Sequence, residues 1–363
     1  MSEQQSTASP STTSDQHAPN AGTFRVGIIG CGRPWRSDGA TGFGMSHCHA
    51  LGYERSPDAR IVALADLVPE NAEAFQQQHG GDAIYTDYHE MLANEQLDIV
   101  SVCTWPHLHA QMVIDCAKAG VRAIHCEKPM APTWGEAKRM AETCDAHGVQ
   151  LTFNHQRRMS PEFRQARQML RDGAVGDLVR VDGMCGNLFD WGTHWFDMFF
   201  FYNDETPATA VLGQVEPSGG QTVFGVTLEG EGVSQVRFGN GVIGLLSTSA
   251  EQGWPLMTRI VGTDGIIEAA LRTDPLRIFT PASNGWEVIA LEGSNSLQDT
   301  VAAGVEDLVA ALKEGREPEL SSRKVLRATE LIFATYESAR RGRRVDLPLD
   351  AADAAVYAEA PAS

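Results

Sequence analysis

Five short apolar runs, separated by helical stretches, characterise the first half of the chain. The first run, Phe24 to Ile29, leads directly into the glycines Gly30 and Gly32. The other four runs cover residues 61–66, 97–103, 121–126 and 149–153. Continuously apolar strands that alternate with helices are typical of a parallel sheet, because helices cover both of its faces. The pattern therefore predicts a doubly wound α/β domain.

The first apolar run ends in a glycine turn of the kind that binds the pyrophosphate of a dinucleotide. In such folds an acidic residue ends the second strand, about 20 residues beyond the motif. Asp66 lies 34 residues after Gly32 but 22 residues after Gly44. The spacing predicts that residues 33–43 form an enlarged loop and that the helix resumes at Gly44. A Rossmann domain is thus expected, with Gly30, Gly32, Gly44 and Asp66 at its cofactor.

Asp66 also bears on which dinucleotide is bound. A carboxylate at this place accepts hydrogen bonds from the adenosine ribose hydroxyls and repels a 2′-phosphate. Leu67 and Val68 provide no cation for that phosphate, so the sequence favours NAD over NADP. The alternative is an Asp that ends a strand without any ligand. Trp35 and its neighbouring arginines in the enlarged loop either cover the cofactor or are surface residues.

After about residue 155, short alternating strands with Gly, Asn and Asp turns replace the long apolar runs. Asn240-Gly241 predicts a two-residue type I′ hairpin turn, in which both residues have a positive φ. An α+β domain with a large open, mostly antiparallel sheet is expected, with helices near 296–314 and 323–341. Both chain ends have the composition of disordered tails. The predicted division is a tail (1–22), a Rossmann domain (23–154), an α+β domain (155–348) and a C-terminal tail (349–363).

Two further motifs carry groups that can hold or move a proton. Lys128, in Glu127-Lys128-Pro129, follows the fourth apolar run, at the sheet edge where parallel strands gather ligands. Its ammonium can hydrogen-bond and polarise a substrate hydroxyl. Asp190 and His194 are four residues apart and share one face of a helix, and a histidine oriented by a carboxylate is a natural general base. The alternatives are a solvated turn lysine and a core histidine satisfied by its neighbour.

Two other segments are placed beside the cleft by their chain positions. Thr104, Trp105 and His109 follow the third apolar run and are expected to line the nicotinamide side, although Trp105 suits core packing equally well. Arg157 and Arg158 either receive an anionic group of the substrate or form surface ion pairs.

The composition argues against several classes of protein. A formal net charge of −18 disfavours nucleic acid or an anionic membrane as the main partner, because both need a positive face. The seven cysteines lack CxxC spacing and read as reduced thiols. No metal site is predicted, because consecutive residues of His47-Cys48-His49 point apart on a helix. No run approaches the roughly 20 apolar residues of a membrane span and residues 1–20 lack a signal sequence, so a cytoplasmic location is expected.

Together these motifs resemble the glucose-fructose oxidoreductase, inositol dehydrogenase and MocA family (Gfo/Idh/MocA). The resemblance runs from about Phe24 to Pro348. It rests on the order of the glycine turn, segment 104–109, Glu127-Lys128-Pro129, segment 173–176, Asp190-x-Gly-x-His194-x-x-Asp197, and segments 262–265 and 343–348. Two departures, the enlarged loop and an inserted Trp105, leave the catalytic residues in place.

The resemblance implies an NAD-dependent oxidoreductase that moves a hydride between nicotinamide and a hydroxyl or keto carbon of a sugar, cyclitol or sugar derivative. It also implies homodimers or homotetramers built on the open sheet. The alternatives are a redox-neutral, NAD-dependent glycoside-cleaving enzyme and a non-catalytic sugar or nucleotide sensor. The expected site comprises catalytic Lys128, Asp190 and His194, cofactor-binding Gly30, Gly32, Gly44, Asp66, Thr104, Trp105, His109, Glu127 and Lys128, and substrate-binding Arg158 and Asp197.

Overall fold

The structure is a computed structural model that describes residues 22–34, 36–38, 40, 42–249, 256–351 and 354–356. Trp35 and all but the last residue of the predicted N-terminal tail lie outside these ranges. The helices are α1 (Met45–Arg55), α2 (Pro69–His79), α3 (Tyr88–Asn94), α4 (Pro106–Lys118), α5 (Trp134–Ala146), α6 (Pro161–Arg171), α7 (Gly192–Tyr202), α8 (Leu297–Glu314) and α9 (Ser322–Arg341), with a 3-10 helix at Gln156–Met159. The strands are β1 (Phe24–Ile29), β2 (Ala59–Ala65), β3 (Ala83–Tyr85), β4 (Ile99–Val102), β5 (Ala123–Cys126), β6 (Gln150–Phe153), β7 (Leu178–Cys185), β8 (Ala208–Glu216), β9 (Thr222–Val223), β10 (Val226–Thr227), β11 (Glu231–Phe238), β12 (Ile243–Ser249), β13 (Met257–Gly262), β14 (Ile266–Ala270), β15 (Leu276–Phe279), β16 (Glu287–Val288) and β17 (Val345–Asp346).

The N-terminal sheet confirms the predicted parallel Rossmann architecture. Its strand order is β3-β2-β1-β4-β5-β6, and every neighbouring pair is parallel. The order reverses between β1 and β4, and ligands bind such sheets at the carboxyl ends of the strands that flank this point. The short strand β3 was not predicted, because its three residues are only partly buried and give no long apolar run.

The second sheet is large and mostly antiparallel, as predicted. Its nine strands follow the order β16-β15-β14-β13-β7-β12-β11-β8-β17, and only the β7–β12 pair is parallel. The helix α7 lies against it with every residue buried, including Trp195. The helix α9 approaches β8 closely, since a side chain at Gly213 would overlap Thr335. On this sheet, the side chains of Val179, Leu212 and Val233 are each about half exposed.

The helix α8 belongs to the second domain by its place in the sequence but packs against the N-terminal domain. A side chain at Gly52 of α1 would meet Val305 and Ala302 of α8, so these two helices are in close contact. Val305, Leu308 and Val309 are buried in the same core as Val26 and Ile28 of β1. The helix α8 therefore completes the N-terminal domain, although it lies within the predicted second domain of 155–348.

The C-terminal segment also differs from the predicted tail of 349–363. Leu349, Ala354 and Val356 are buried. The backbone N–H of Trp134 donates to the carbonyl of Ala354 at 2.9 Å, and its indole N–H donates to the carbonyl of Leu349 at 3.2 Å. These bonds fasten the described part of the segment to the start of α5.

The predicted turn at Asn240-Gly241 is wrong in its length. The Phe238 N–H donates to the Val242 carbonyl at 3.0 Å, so three residues form the loop and only Gly241 among them has a clearly positive φ, 89°. At the start of α5, the Thr133 hydroxyl accepts the Glu136 backbone N–H at 3.3 Å and donates to the Glu136 carboxylate at 2.9 Å. Within the described chain, no helix has both the length and the apolar character needed to cross a membrane.

Candidate active site

The glycine turn has the geometry of a dinucleotide site. At Gly30, with φ 84°, a side chain would come within 2.6 Å of the Cys103 carbonyl oxygen, so only glycine lets the turn approach the end of β4. The Gly32 N–H donates to the Asp66 carboxylate at 3.0 Å, and the Val68 N–H donates to its other oxygen at 2.9 Å. Asp66 therefore lies beside the turn, as its spacing predicted.

The helix α1 begins at Met45, directly after Gly44, which confirms that a long loop interrupts the motif. Gly44 has φ 61° and provides no side-chain cap, and the first turn of α1 carries no acidic residue. The first backbone N–H groups of a helix lack partners within it and favour an anion. Together with Asp66, this end of α1 fits the pyrophosphate and ribose of a dinucleotide.

The segment after β4 divides into an exposed and a buried part. The side chain of Trp105, which precedes α4, is 47% exposed, which argues against core packing. His109 is fully buried, with its ring nitrogens 3.1 Å from the Thr104 carbonyl and 3.0 Å from the Pro129 carbonyl. His109 therefore supports Thr104 and the turn after Lys128 from within, a different place from the cofactor contact expected of it.

Lys128 and Asp190 bring the two catalytic motifs together across the domains. The Lys128 ammonium lies 2.5 Å from an Asp190 carboxylate oxygen and 3.4 Å from the Asp190 carbonyl. The same ammonium lies 5.9 Å from the centre of the Trp191 ring. Both side chains of the ion pair are mostly buried, so the pair is poorly screened by water.

The predicted pairing of Asp190 with His194 is not present. The helix α7 begins at Gly192, so Asp190 lies in the preceding turn instead of on the same helical face. Asn187 fixes that turn, because its side-chain oxygen accepts the N–H groups of Asp190 at 2.7 Å and Trp191 at 3.1 Å. Among the described residues, neither ring nitrogen of His194 has a hydrogen-bond partner, which leaves the ring available to a ligand.

The surroundings of His194 keep its imidazole neutral. The residue is buried, and its ring centre lies 5.3 Å from that of His155. Burial lowers the pKa of His194 well below the usual range, and the positive charges of Lys128 and Arg157 lower this pKa further. A neutral histidine at physiological pH can accept a proton from a hydroxyl group.

Arg158 and Asp197 form an internal ion pair. Two guanidinium nitrogens of Arg158 each lie 2.7 Å from a different Asp197 oxygen, and both side chains are fully buried. The remaining nitrogen of that guanidinium contacts Glu205 at 2.5 Å and Glu319 at 3.0 Å. Burial alone would raise the pKa of Asp197, but Arg158, and His155 after it, lower it. With all their polar atoms engaged, the two residues join the 3-10 helix to α7, which argues against the substrate role expected of them.

Arg157 differs from its neighbour in having no such partner. Its guanidinium lies 5.8 Å from the Trp195 ring centre. Among the described residues, no acidic group lies within ion-pair distance of it, and the charge of Glu162 acts on it from farther away. Burial lowers the pKa of Arg157 to about 10. Of the two roles that the sequence left open, the surface ion pair is therefore absent.

The sequence predicts Glu127 as a cofactor contact, and the structure places its carboxylate in an internal hydrogen-bond network. It is buried, and its carboxylate accepts hydrogen bonds from His49, Asn154 and the Lys128 backbone N–H. Sequence reasoning identified neither His49, Asn154, Asn187 nor His155 as part of the site. The Asn187-x-x-Asp190 spacing resembles a side-chain cap and could have indicated Asn187, whereas His49 and Asn154 carry no local signal.

The two halves of the chain match two family models. Residues 24–155 match the oxidoreductase family with an NAD-binding Rossmann fold, and residues 183–347 match its C-terminal alpha/beta domain. D-apiose dehydrogenase of Paraburkholderia graminis is 30% identical over 370 residues, covering 93% of this chain and 92% of that protein. Inositol 2-dehydrogenase of Rhizobium meliloti is 26% identical and covers 90% of this chain and 99% of that protein. A levoglucosan dehydrogenase, solved with NADH and levoglucosan, shares the fold with a TM-score of 0.77 at 21% identity, covering 90% of this chain and 100% of its own.

These matches and the turn geometry define an oxidoreductase with an NAD-binding Rossmann domain. The chain belongs to the Gfo/Idh/MocA oxidoreductase family.

The lowered pKa of His194 leads to a prediction about stability. The pKa of a histidine in the unfolded chain is about 6.5. The neutral buried ring therefore contributes to the stability of the folded protein above this pH. This contribution is lost as the pH falls towards the lower pKa of the folded state. We expect His194→Asn to reduce the slope of unfolding free energy against pH between 6.5 and 5 by up to about 1.4 kcal/mol per unit. Urea unfolding at several pH values measures the slope, and an unchanged slope in the variant would contradict the assignment.

Proposed function

We propose that the protein oxidises a hydroxyl carbon, or reduces the corresponding keto carbon, of a sugar, cyclitol or sugar derivative with NAD as cofactor. The observation that carries the proposal is the Lys128–Asp190 ion pair beside a neutral His194, at the carboxyl edge of the NAD-binding sheet. The similarity to D-apiose and inositol dehydrogenases supports a polyhydroxylated substrate.

In the oxidative direction, His194 accepts the proton of the reacting hydroxyl. Lys128 donates a hydrogen bond to the same oxygen and stabilises the negative charge that develops there. Asp190 fixes the ammonium at 2.5 Å and so takes the role of positioning Lys128. NAD, when bound, supplies the hydride acceptor at the nicotinamide ring. In the reductive direction the histidine returns the proton.

Arg157 is proposed as a further substrate contact. Its guanidinium forms no ion pair with the described residues, and it is close enough to His194 to influence the pKa of that histidine. A guanidinium offers several donors in a fixed geometry. It can thus hold neighbouring hydroxyls or a carboxylate of the substrate.

The substrate and catalytic roles lead to a direct test. We expect purified protein with NAD and a panel of polyols, aldoses and inositols to form NADH with one substrate class. Lys128→Met and His194→Asn should each lower kcat by about 10² to 10⁴-fold, the scale of a lost acid–base or electrostatic group. Absorbance of reduced nicotinamide measures turnover.

The exposed carboxylate variant Glu73→Gln serves as the control and should retain full activity. Tight NAD binding without net NADH formation from any substrate would contradict the dehydrogenase proposal. Glycoside cleavage by such a protein would indicate the redox-neutral reaction, and its absence would indicate a sensor.

Asp66 is proposed to make the protein prefer NAD over NADP. Replacing it with Ser removes the charge that repels a 2′-phosphate, so the ratio of kcat/KM for NADP to that for NAD should rise by about 10- to 100-fold. Steady-state kinetics with both cofactors measure the ratio. An unchanged ratio in Asp66→Ser would show that another residue, such as Arg33 near Asn71, decides the preference.

We further propose a cytoplasmic homodimer or homotetramer that associates through the large sheet. Leu212 and Val233 lie on neighbouring strands and are 48% and 52% exposed, although both are large and apolar. Lysine at both positions should dissociate the oligomer, because it places charges in an apolar contact. Light scattering measures the mass, and Leu297→Lys at the exposed start of α8 is the control. A wild-type mass of one chain would contradict the proposal.

A further inference from the structure

We infer that His49, a buried residue of α1, is a positioning residue for Lys128 that acts through Glu127. The inference rests on the proposed function, since it concerns how the same lysine is held. His49 and Glu127 are both buried in the N-terminal domain.

Glu127 is the centre of this arrangement. One of its carboxylate oxygens accepts the His49 ring N–H at 2.9 Å and the Asn154 side-chain N–H at 2.7 Å. The other oxygen accepts the backbone N–H of Lys128 at 3.2 Å. All three side chains are buried. A buried carboxylate is stable only when its oxygens are paired, so these donors fix its place.

A chain of hydroxyl groups orients the His49 ring. Its second ring nitrogen lies 3.1 Å from the Ser101 hydroxyl, which in turn lies 2.8 Å from the Tyr53 hydroxyl. With Tyr53 donating to Ser101 and Ser101 donating to that nitrogen, the other nitrogen carries the proton that Glu127 accepts. The chain Tyr53–Ser101–His49–Glu127 therefore connects α1, β4 and the end of β5 through side chains alone.

The consequence for Lys128 follows from its place in the chain. Lys128 follows Glu127 in the turn after β5, and its backbone N–H is one of the three donors to the Glu127 carboxylate. At the other end of the residue, Asp190 holds the ammonium. The backbone of Lys128 is therefore bonded to the N-terminal domain, and its ammonium is bonded to the second domain.

The ionisation of Glu127 also points to His49 as its main partner. Burial alone would raise the pKa of Glu127, but the hydrogen bond from His49, with smaller effects from Lys128 and Asn154, lowers it. Other groups close enough to interact with the Glu127 charge are the thiols Cys48, Cys103 and Cys126 and the ring of His109. These thiols stay neutral because burial raises the pKa of each. His49 is therefore the main group that keeps Glu127 ionised.

Two conservative variants separate positioning from packing. His49→Gln places an amide donor where the ring N–H meets Glu127, whereas His49→Asn reaches only the position of the nitrogen beside Ser101. We expect His49→Asn to lower kcat by about 10- to 100-fold, the effect of losing a hydrogen bond to a charged group, with KM for NAD nearly unchanged. His49→Gln should stay within about threefold of the wild type.

The pH profile provides a readout that packing does not change. In His49→Asn the pKa of Glu127 should rise, so its charge is lost at a higher pH than in the wild type as acid is added. The acid limb of kcat should therefore move to higher pH in His49→Asn but not in His49→Gln. His125→Asn is the matched control, since this equally buried ring lies 4.5 Å from His49 and bonds Thr152 instead of Glu127. It should lower the melting temperature and leave the pH profile of kcat unchanged.

A readout without turnover keeps this inference separate from the proposed function. The acetylation rate of Lys128 by acetic anhydride, followed by mass spectrometry, reports the environment of its ammonium whether or not a substrate is known. We expect a changed rate in His49→Asn and a wild-type rate in His49→Gln and His125→Asn. Equal losses of kcat in both His49 variants, in step with their melting temperatures, would overturn the inference, as would equal acetylation in all proteins. Failure of the wild type to turn over any substrate would instead count against the proposed function.

Discussion

The contact between Lys128 and Asp190 is the interaction on which the active site depends. One partner follows the strand β5 of the Rossmann domain, and the other precedes the helix α7 of the second domain. At 2.5 Å, and with little solvent around it, this ion pair joins the two domains at the proposed site of the reaction. Breaking such a pair leaves an uncompensated charge in a poorly hydrated cleft, which costs far more than an exposed ion pair.

The charged groups around this contact determine the protonation state of His194. Burial, followed by the positive charges of Lys128 and Arg157, lowers the pKa of His194 and keeps the imidazole neutral. The carboxylate that would make His194 more basic is bonded to the lysine instead. In the proposed reaction, these cations stabilise the developing alkoxide, and His194 returns its proton in the reverse direction.

Much of the fold could be predicted from local sequence, and much less of the site. The parallel sheet followed from apolar runs, and the start of α1 followed from the distance between Gly44 and Asp66, because both signals are written along one stretch of chain. The partner of Asp190 could not be predicted, since it depends on α7 beginning two residues later than a continuous helix would. Arg158 is paired with Asp197, Glu205 and Glu319, whose separation in sequence hides their contact. The hairpin at Asn240 shows the same limit, because pairing along the strands, and not the turn residues alone, decided its length.

The packing of α8 against α1 has a consequence for the order in which the chain can fold. A ribosome releases β1 to β6 long before it has synthesised residues 297–314, so the sheet face that carries α1 emerges without the cover that α8 provides. The surface of α1 around Gly52 is buried only when Val305 and Leu308 of α8 pack against it. Until then the nascent domain exposes apolar surface that can bind to other chains. The Rossmann half of this enzyme, although first in sequence, is therefore among the last parts of the molecule to be completed.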